Sequence, residues 1–273
     1  MCDHNAKKSA WLKLLLSFSL LASSLACGYW ASLLGRAVGA DVLLTGTVGS
    51  AIGALAGVVV LGNMDLLKPK AQDLRNVIRL GGWPLAISLS LFCLNLWGML
   101  AAGTPLADGW PLRVCNIAVM CLFTGLAEEA MFRGLVLQGL RGVWEKEQRG
   151  MYAAALLSSL IFGLLHIEWW HIDPFNGMDL VQAALKTIQT GILGFYFAAI
   201  TIQTGSIVCP ALIHGASNFL LMLCSFGLMG IPIQIEYVSS GEDAWLTIVL
   251  YVVIIALYIP MAYKGVRILS RKG

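Results

Sequence analysis

Two adjacent carboxylates and a guanidinium interrupt an apolar segment in the stretch Gly125-Leu126-Ala127-Glu128-Glu129-Ala130-Met131-Phe132-Arg133. The residues around this stretch, about 112–140, are hydrophobic enough to cross a bilayer. A charged side chain at membrane depth costs about 2.5–3.5 kcal/mol even on lenient scales, and it usually marks a functional site. We therefore expect the rest of the chain to build a membrane-embedded pocket around Glu128 and Glu129.

The composition is typical of a polytopic membrane protein. Hydrophobic residues make up 58% of the 273 residues and charged residues only 12%, whereas soluble domains carry about 25% charged residues. The chain therefore has too few polar side chains to cover a globule in water. We predict an all-α fold that interacts with the lipid bilayer. No basic patch with interleaved aromatic residues indicates a nucleic-acid partner.

Eight apolar runs predict about eight transmembrane helices: 14–34, 42–62, 83–102, 112–140, 151–167, 183–203, 207–226 and 244–263. The first run continues past Cys27, beyond the length of a signal-peptide core, and is interpreted as a retained helix. A basic segment, 68–80, is expected to form a short surface helix in the membrane interface. No soluble domain is visible, so 1–273 is predicted to be a single membrane-embedded domain with its motif-bearing core at about 112–226.

The distribution of basic residues predicts the orientation. If the N-terminus is inside, fourteen Lys and Arg residues fall in the inner segments and three fall outside or near the outer edge. Inner loops of membrane proteins collect Lys and Arg. We therefore expect both termini to be cytoplasmic, in a multi-pass protein of the cell membrane.

The polar residues inside the spans repeat at one-turn spacing. Glu129 and Arg133 are four residues apart, so they share a helix face and are expected to pair. Glu128 is rotated by about 100° and is expected to face a different neighbour. The same spacing of four joins Phe162 to His166 and His214 to Asn218. A buried Glu–Arg pair or a single His could be a packing feature. Together, however, the three sets predict one polar cluster, because each buried polar group needs a partner.

The chemistry that such a cluster permits is hydrolysis. A carboxylate in an apolar pocket is suited to act as a general base near neutral pH. Glu128 would take a proton from water, and His166 would orient that water or share the proton. His214 and Asn218 would donate hydrogen bonds to the oxyanion of a tetrahedral intermediate. Ser217 is a weaker candidate because its surroundings lack the pattern of a nucleophile elbow.

One Glu and two His also form the ligand set of a catalytic zinc site. The HExxH helix is absent from the sequence, so no metal or other cofactor is expected, and zinc is kept as a minority alternative. His171 is expected to lie in a loop beside the interfacial residues Trp169 and Trp170.

The order Glu128-Glu129-x-x-x-Arg133, Phe162-x-x-x-His166 and His214-x-x-x-Asn218 resembles the three motifs of the CPBP family. This family comprises the type II CAAX prenyl proteases and the bacteriocin-processing intramembrane endopeptidases, also called the ABI family. The resemblance implies a glutamate-dependent intramembrane protease that acts on a membrane-associated protein or peptide. It implies Glu128 as base, His166 as its water-activating partner, and His214 with Asn218 as the oxyanion-stabilising pair. Glu129, Arg133 and Phe162 would support them.

Two other classes of protein remain open from the sequence. One is a non-proteolytic immunity protein that sequesters a peptide. The other is a transporter with a proton-relay carboxylate, although such proteins often contain internal repeats, and none is evident here.

Overall fold

A computed structural model describes residues 2–144, 148–233, 237–241 and 243–271. These residues form nine α-helices: α1 (Cys2–Ala37), α2 (Val42–Val60), α3 (Asp73–Ala101), α4 (Trp110–Glu129), α5 (Leu137–Trp144), α6 (Gln148–Leu164), α7 (Gly177–Thr204), α8 (Val208–Met222) and α9 (Asp243–Ser270). Two π-helical segments, Ala130–Val136 and Leu223–Leu228, follow α4 and α8 without a break. Short 3-10 turns lie at Met64–Leu67 and Trp169–His171.

The all-α membrane fold is confirmed, because the described residues contain no strand and seven helical segments are long and apolar enough to cross a bilayer. Each of the eight predicted runs coincides with a helix. The run that falls short is α6, which has 17 residues and is therefore about 26 Å long, against about 30 Å of hydrocarbon. The segment from Trp110 to Trp144 is the longest, with 35 residues.

The predicted surface helix at 68–80 is wrong as a separate element. The structure continues this segment into the third span as one helix, α3, with Pro84 in its interior. A proline removes one backbone donor, and helices in membranes tolerate it because neighbouring groups can satisfy the freed carbonyl. The basic residues at 75 and 79 therefore belong to the first turns of a spanning helix.

The described residues form two compact units. The first consists of Met1–Val143 and Thr204–Ile233, and the second of Trp144–Gln203 and Gln234–Gly273. That the whole chain acts as a single domain stays a prediction.

Small residues bring the helices of the first unit close together. The glycines of α2 face α1, where a methyl group at Gly53 would lie 3.0 Å from Cα of Ser24. On α3, a methyl group at Gly81 would lie 2.8 Å from Cγ1 of Ile213, the neighbour of His214 in α8. Small residues permit such close packing of helices in membranes. α8 is therefore held against both α3 and α4.

Candidate active site

The helices α4 and α8 cross at two glycines. A methyl group at Gly125 would collide with the carbonyl oxygen of Ala211 and lie 2.9 Å from the backbone nitrogen of Gly215. A methyl group at Gly215 would in turn lie 2.9 Å from the carbonyl oxygen of Cys121. Only residues without a Cβ allow two backbones to approach this closely. Because Gly125 is one turn before Glu129 and Gly215 follows His214, the crossing sets the carboxylates against the imidazole.

Glu129 binds two partners in the buried interior of the first unit. Its Oε1 lies 3.0 Å from Nδ1 of His214, and its Oε2 lies 3.1 Å from Nε of Arg133. The side chains of Glu129 and Arg133 are 0% and 1% exposed. A charge buried this deeply is stable when it is paired. The predicted Glu129–Arg133 pair is therefore confirmed, and its bond to His214 is a finding that the spacing did not predict.

Glu128 lies on the other side of the same imidazole. Its Oε2 is 3.6 Å from Nε2 of His214, and its side chain is 22% exposed. Glu128 therefore has a neighbour other than Arg133, as expected, but Glu129 shares that neighbour. The two residues leave the helix about 100° apart, but a glutamate side chain is long enough to turn back, and both carboxylates reach one ring.

Directly after Glu129 the backbone changes from an α-helix to the π-helical segment that carries Arg133. The backbone N–H of Leu137 donates to the carbonyl of Phe132, five residues earlier, and Nε2 of Gln138 donates to the carbonyl oxygen of Arg133 at 2.9 Å. π-helical turns are rare and occur frequently at functional sites. The apolar run 112–140 predicts an uninterrupted helix, and nothing in its periodicity indicates this segment.

His166 lies in a turn, two residues beyond the end of α6. The prediction that it lies on a span ending at residue 167 is therefore wrong. Its backbone N–H donates to the carbonyl of Gly163 at 3.2 Å. Its ring still stacks edge-on against Phe162, with centroids 4.4 Å apart. The last turn of a helix leaves carbonyl groups without helical partners, and the imidazole takes one of them, that of Phe162.

The hydrogen bond of the His166 ring determines its tautomer. Nδ1 lies 2.7 Å from the carbonyl oxygen of Phe162. A carbonyl oxygen only accepts, so Nδ1 carries the proton, and in the neutral ring Nε2 is the acceptor. In the neutral imidazole, Nε2 is thus the basic nitrogen.

Asn218 follows His214 by one turn on α8 and is half-buried. It belongs to the first unit together with Glu128, Glu129, Arg133 and His214, whereas Phe162 and His166 belong to the second. The first unit therefore assembles the two glutamates, the arginine and one histidine, and the second unit forms the Phe162–His166 pair.

His171 lies in a 3-10 turn, as the loop prediction implied, with Nδ1 2.9 Å from a carboxylate oxygen of Glu168. These two residues line a cavity of about 260 Å³ in the second unit, together with Ile167, Ile172, Asp179, Tyr237, Val238, Ser239 and Ser240. Ile167, the residue after His166, is part of the lining of this cavity. Among the residues that the structure describes, no group of three or more His, Cys, Asp or Glu side chains is arranged to hold a metal ion.

Comparison with known families gives a match in the middle of the chain. Residues 110–220 match the family described as Type II CAAX prenyl endopeptidase Rce1-like. No curated protein and no solved structure matches the chain. The matched segment contains all the predicted site residues, from Glu128 to Asn218.

Proposed function

Since residues 110–220 make this chain a member of the CPBP/CAAX protease family, we propose that it is an intramembrane endopeptidase with Glu128 as its general base. Its substrate would be a membrane-associated protein or peptide. The observation that carries the proposal is the position of His214 between Glu128 and Glu129.

The charges of the buried cluster support this role. Glu128 and Glu129 contribute two negative charges and Arg133 one positive charge, so a protonated His214 makes the cluster neutral. A neutral cluster is favoured at a buried site because an uncompensated charge is costly there. The imidazolium donates from Nδ1 to Glu129, which fixes the plane of the ring. Its Nε2–H, on the side of Glu128, is then the donor for the oxyanion of the reacting carbonyl.

Glu128 is the cluster member suited to meet water. Its side chain is 22% exposed, whereas those of Glu129, Arg133 and His214 are at most 5% exposed. In the proposed reaction Glu128 takes a proton from water, and the resulting hydroxide attacks the carbonyl carbon of the scissile peptide. Glu128 then returns the proton to the leaving amine. No covalent intermediate with the protein is required.

His166 and Asn218 complete the proposed reaction. The acceptor Nε2 of His166 suits it to hold the attacking water through one of its protons. Asn218, one turn after His214, would supply the second donor to the oxyanion. Each role depends on one side chain, so each can be removed by a single substitution.

Mapping of peptide termini in membrane fractions tests the proposal. Cells that express the wild-type chain are compared with cells that express Glu128→Gln at the same level. We expect a set of membrane-protein termini that is present with the wild type and absent with the variant. Identical termini in both samples would contradict the proposal, and a biological effect that survives Glu128→Gln would instead favour a sequestering protein.

We also propose that the N-terminal end of α1 and the C-terminal end of α9 face the cytoplasm, in accord with the fourteen inner basic residues. Cysteines introduced at Asp65 and Asp173 can be labelled in intact cells with a membrane-impermeant maleimide, using the parent protein as background. We expect label at position 173 and protection at position 65. The opposite pattern would reverse the proposed orientation.

A further inference from the structure

The connection between α2 and α3, residues 61–72, contacts the π-helical segment that continues α4 and the turn that precedes α8. At its first end, Nδ2 of Asn63 donates to the carbonyl oxygen of Gly134 at 3.1 Å. Gly134 lies in the π-helical segment, next to Arg133. A π-helical turn disrupts the regular ladder of backbone hydrogen bonds, and side-chain donors can satisfy the carbonyls that it displaces. Asn63 therefore forms a hydrogen bond with the segment that carries Arg133, the partner of Glu129.

The other end of the connection binds the turn before α8. The ammonium group of Lys70 donates to the carbonyl oxygens of Thr204 and Gly205, each at 2.7 Å. Gly205 has a φ of +62°, and a methyl group there would lie 2.8 Å from Nζ of Lys70. The left-handed backbone conformation favours glycine at this position, and a side chain there would displace the ammonium group. The backbone N–H of Ile207 also donates to the carbonyl of Leu66 at 3.0 Å.

Asp73, the first residue of α3, extends this attachment into α8. Its side chain is buried, at 4% exposure, and Oδ2 accepts from the backbone N–H of Lys70 at 2.7 Å and from the hydroxyl of Ser206 at 3.1 Å. The hydroxyl oxygen of Ser206 accepts from the backbone N–H of Val208, the first residue of α8. Hydrogen bonds to a carboxylate are roughly twice as strong as neutral ones. The start of α8 is therefore fixed through Ser206 to the end of the connection.

We propose that residues 61–72, together with Asp73, set the position of α8 relative to the π-helical segment, which makes Asn63 and Lys70 positioning residues for the cluster at Glu128, Glu129 and His214. This inference rests on the proposed function. Val208 precedes His214 by six residues, a rise of about 9 Å along a rigid helix. A displacement at the start of α8 is therefore passed on to the imidazole. These positioning residues lie outside the segment that matches the protease family.

Two lysines in the connection provide a matched comparison. Lys70→Met removes the bonds to Thr204 and Gly205, whereas Lys68→Met removes an exposed ion pair with Asp65 within the connection itself. A displacement of 1 Å in an active site can lower the rate by about 10²-fold. We expect kcat to fall by about 10- to 10²-fold in Lys70→Met and in Asn63→Ala, with KM and melting temperature unchanged. Lys68→Met should match the wild type, and Lys70→Arg should restore most of the activity.

Spin labels test the same inference without relying on activity. Val119 in α4 and Leu221 in α8 are exposed, so Val119→Cys and Leu221→Cys can carry the labels. We expect the distance distribution between them to broaden or shift in Lys70→Met and to stay unchanged in Lys68→Met. An unchanged distribution, or a wild-type kcat in both Lys70→Met and Asn63→Ala, would overturn the inference. If neither the wild type nor any variant cleaves peptide, but the distance between the labels changes in Lys70→Met, the proposed function fails and the positioning role stands.

Discussion

Nδ1 of His214 lies 3.0 Å from Oε1 of Glu129, and this hydrogen bond joins residues 85 positions apart in the chain. It orients the imidazole so that its other nitrogen faces Glu128. The same carboxylate is paired with Arg133 on the opposite side. Glu129 therefore links the helix that carries the proposed base to the helix that carries the proposed oxyanion donor, and its role extends beyond pairing with the arginine.

The Glu129–Arg133 pair gives a prediction for stability. Removal of one partner leaves a buried charge without compensation, which costs about 3–5 kcal/mol. We expect Arg133→Met to lower the free energy of unfolding by about that amount, and the double variant Glu129→Gln/Arg133→Met to recover part of it. Reversible unfolding in detergent measures both effects. Asp65→Asn breaks an exposed pair with Lys68 and serves as the control, and strictly additive effects of the two single changes would contradict the prediction.

The glycine crossing of α4 and α8 gives a second prediction. Gly125→Ala places a methyl group against the backbone of α8, and overpacking of this kind costs about 1–3 kcal/mol. We expect the helices to separate and peptide cleavage to fall in protein that still folds. Gly142→Ala, in the continuation of the same helix, is the matched control because nothing lies within 4 Å of its added methyl group. Equal activity of the two variants, measured at equal amounts of folded protein, would contradict the account of the crossing.

The two histidines of the 166–171 segment should differ in their effect on catalysis. His166 has its ring fixed between Phe162 and the end of α6, whereas the side chain of His171 is 62% exposed. General acid–base groups contribute about 10²- to 10⁴-fold to rates. We expect His166→Ala to lose activity in that range and His171→Ala to keep it, both with a folded protein by size-exclusion chromatography. A wild-type rate for His166→Ala would exclude it from the reaction.

Metal dependence can be tested by chelation. In the proposed reaction a carboxylate activates the water, so no metal is required. We expect dialysis against EDTA, and separately against 1,10-phenanthroline, to leave the cleavage rate unchanged. A loss of activity that is restored by added Zn²⁺ would instead establish the zinc alternative, in which carboxylate and imidazole act as ligands.

Much of the fold could be predicted from the sequence because its determinants are local. Long apolar runs require helices in a bilayer, since backbone groups find no water there, and each of the eight runs coincides with a helix. A spacing of four residues also places side chains together regardless of the rest of the molecule. For this reason the Glu129–Arg133 pair and the Phe162–His166 contact were both predictable.

The remaining features depend on contacts between distant parts of the chain. The convergence of both glutamates on His214 requires the close approach of α4 and α8 at Gly125 and Gly215, and helical periodicity alone contains no such information. The π-helical segment is supported by Asn63, 71 residues earlier in the chain. Two features of the sequence nevertheless indicate the crossing. A glycine precedes the two glutamates by one turn and another follows His214, which is typical of a helix crossing.

The cleavage rate of purified Glu128→Gln tests the central claim most directly. The substrate is a membrane peptide identified from the mapped termini, and Asp65→Asn serves as a control for the loss of a carboxylate elsewhere. We predict a fall in kcat of about 10²-fold or more for Glu128→Gln, the usual contribution of a general base, with normal folding and a wild-type rate for Asp65→Asn. Cleavage by Glu128→Gln at the wild-type rate would contradict the assignment of Glu128 as the base.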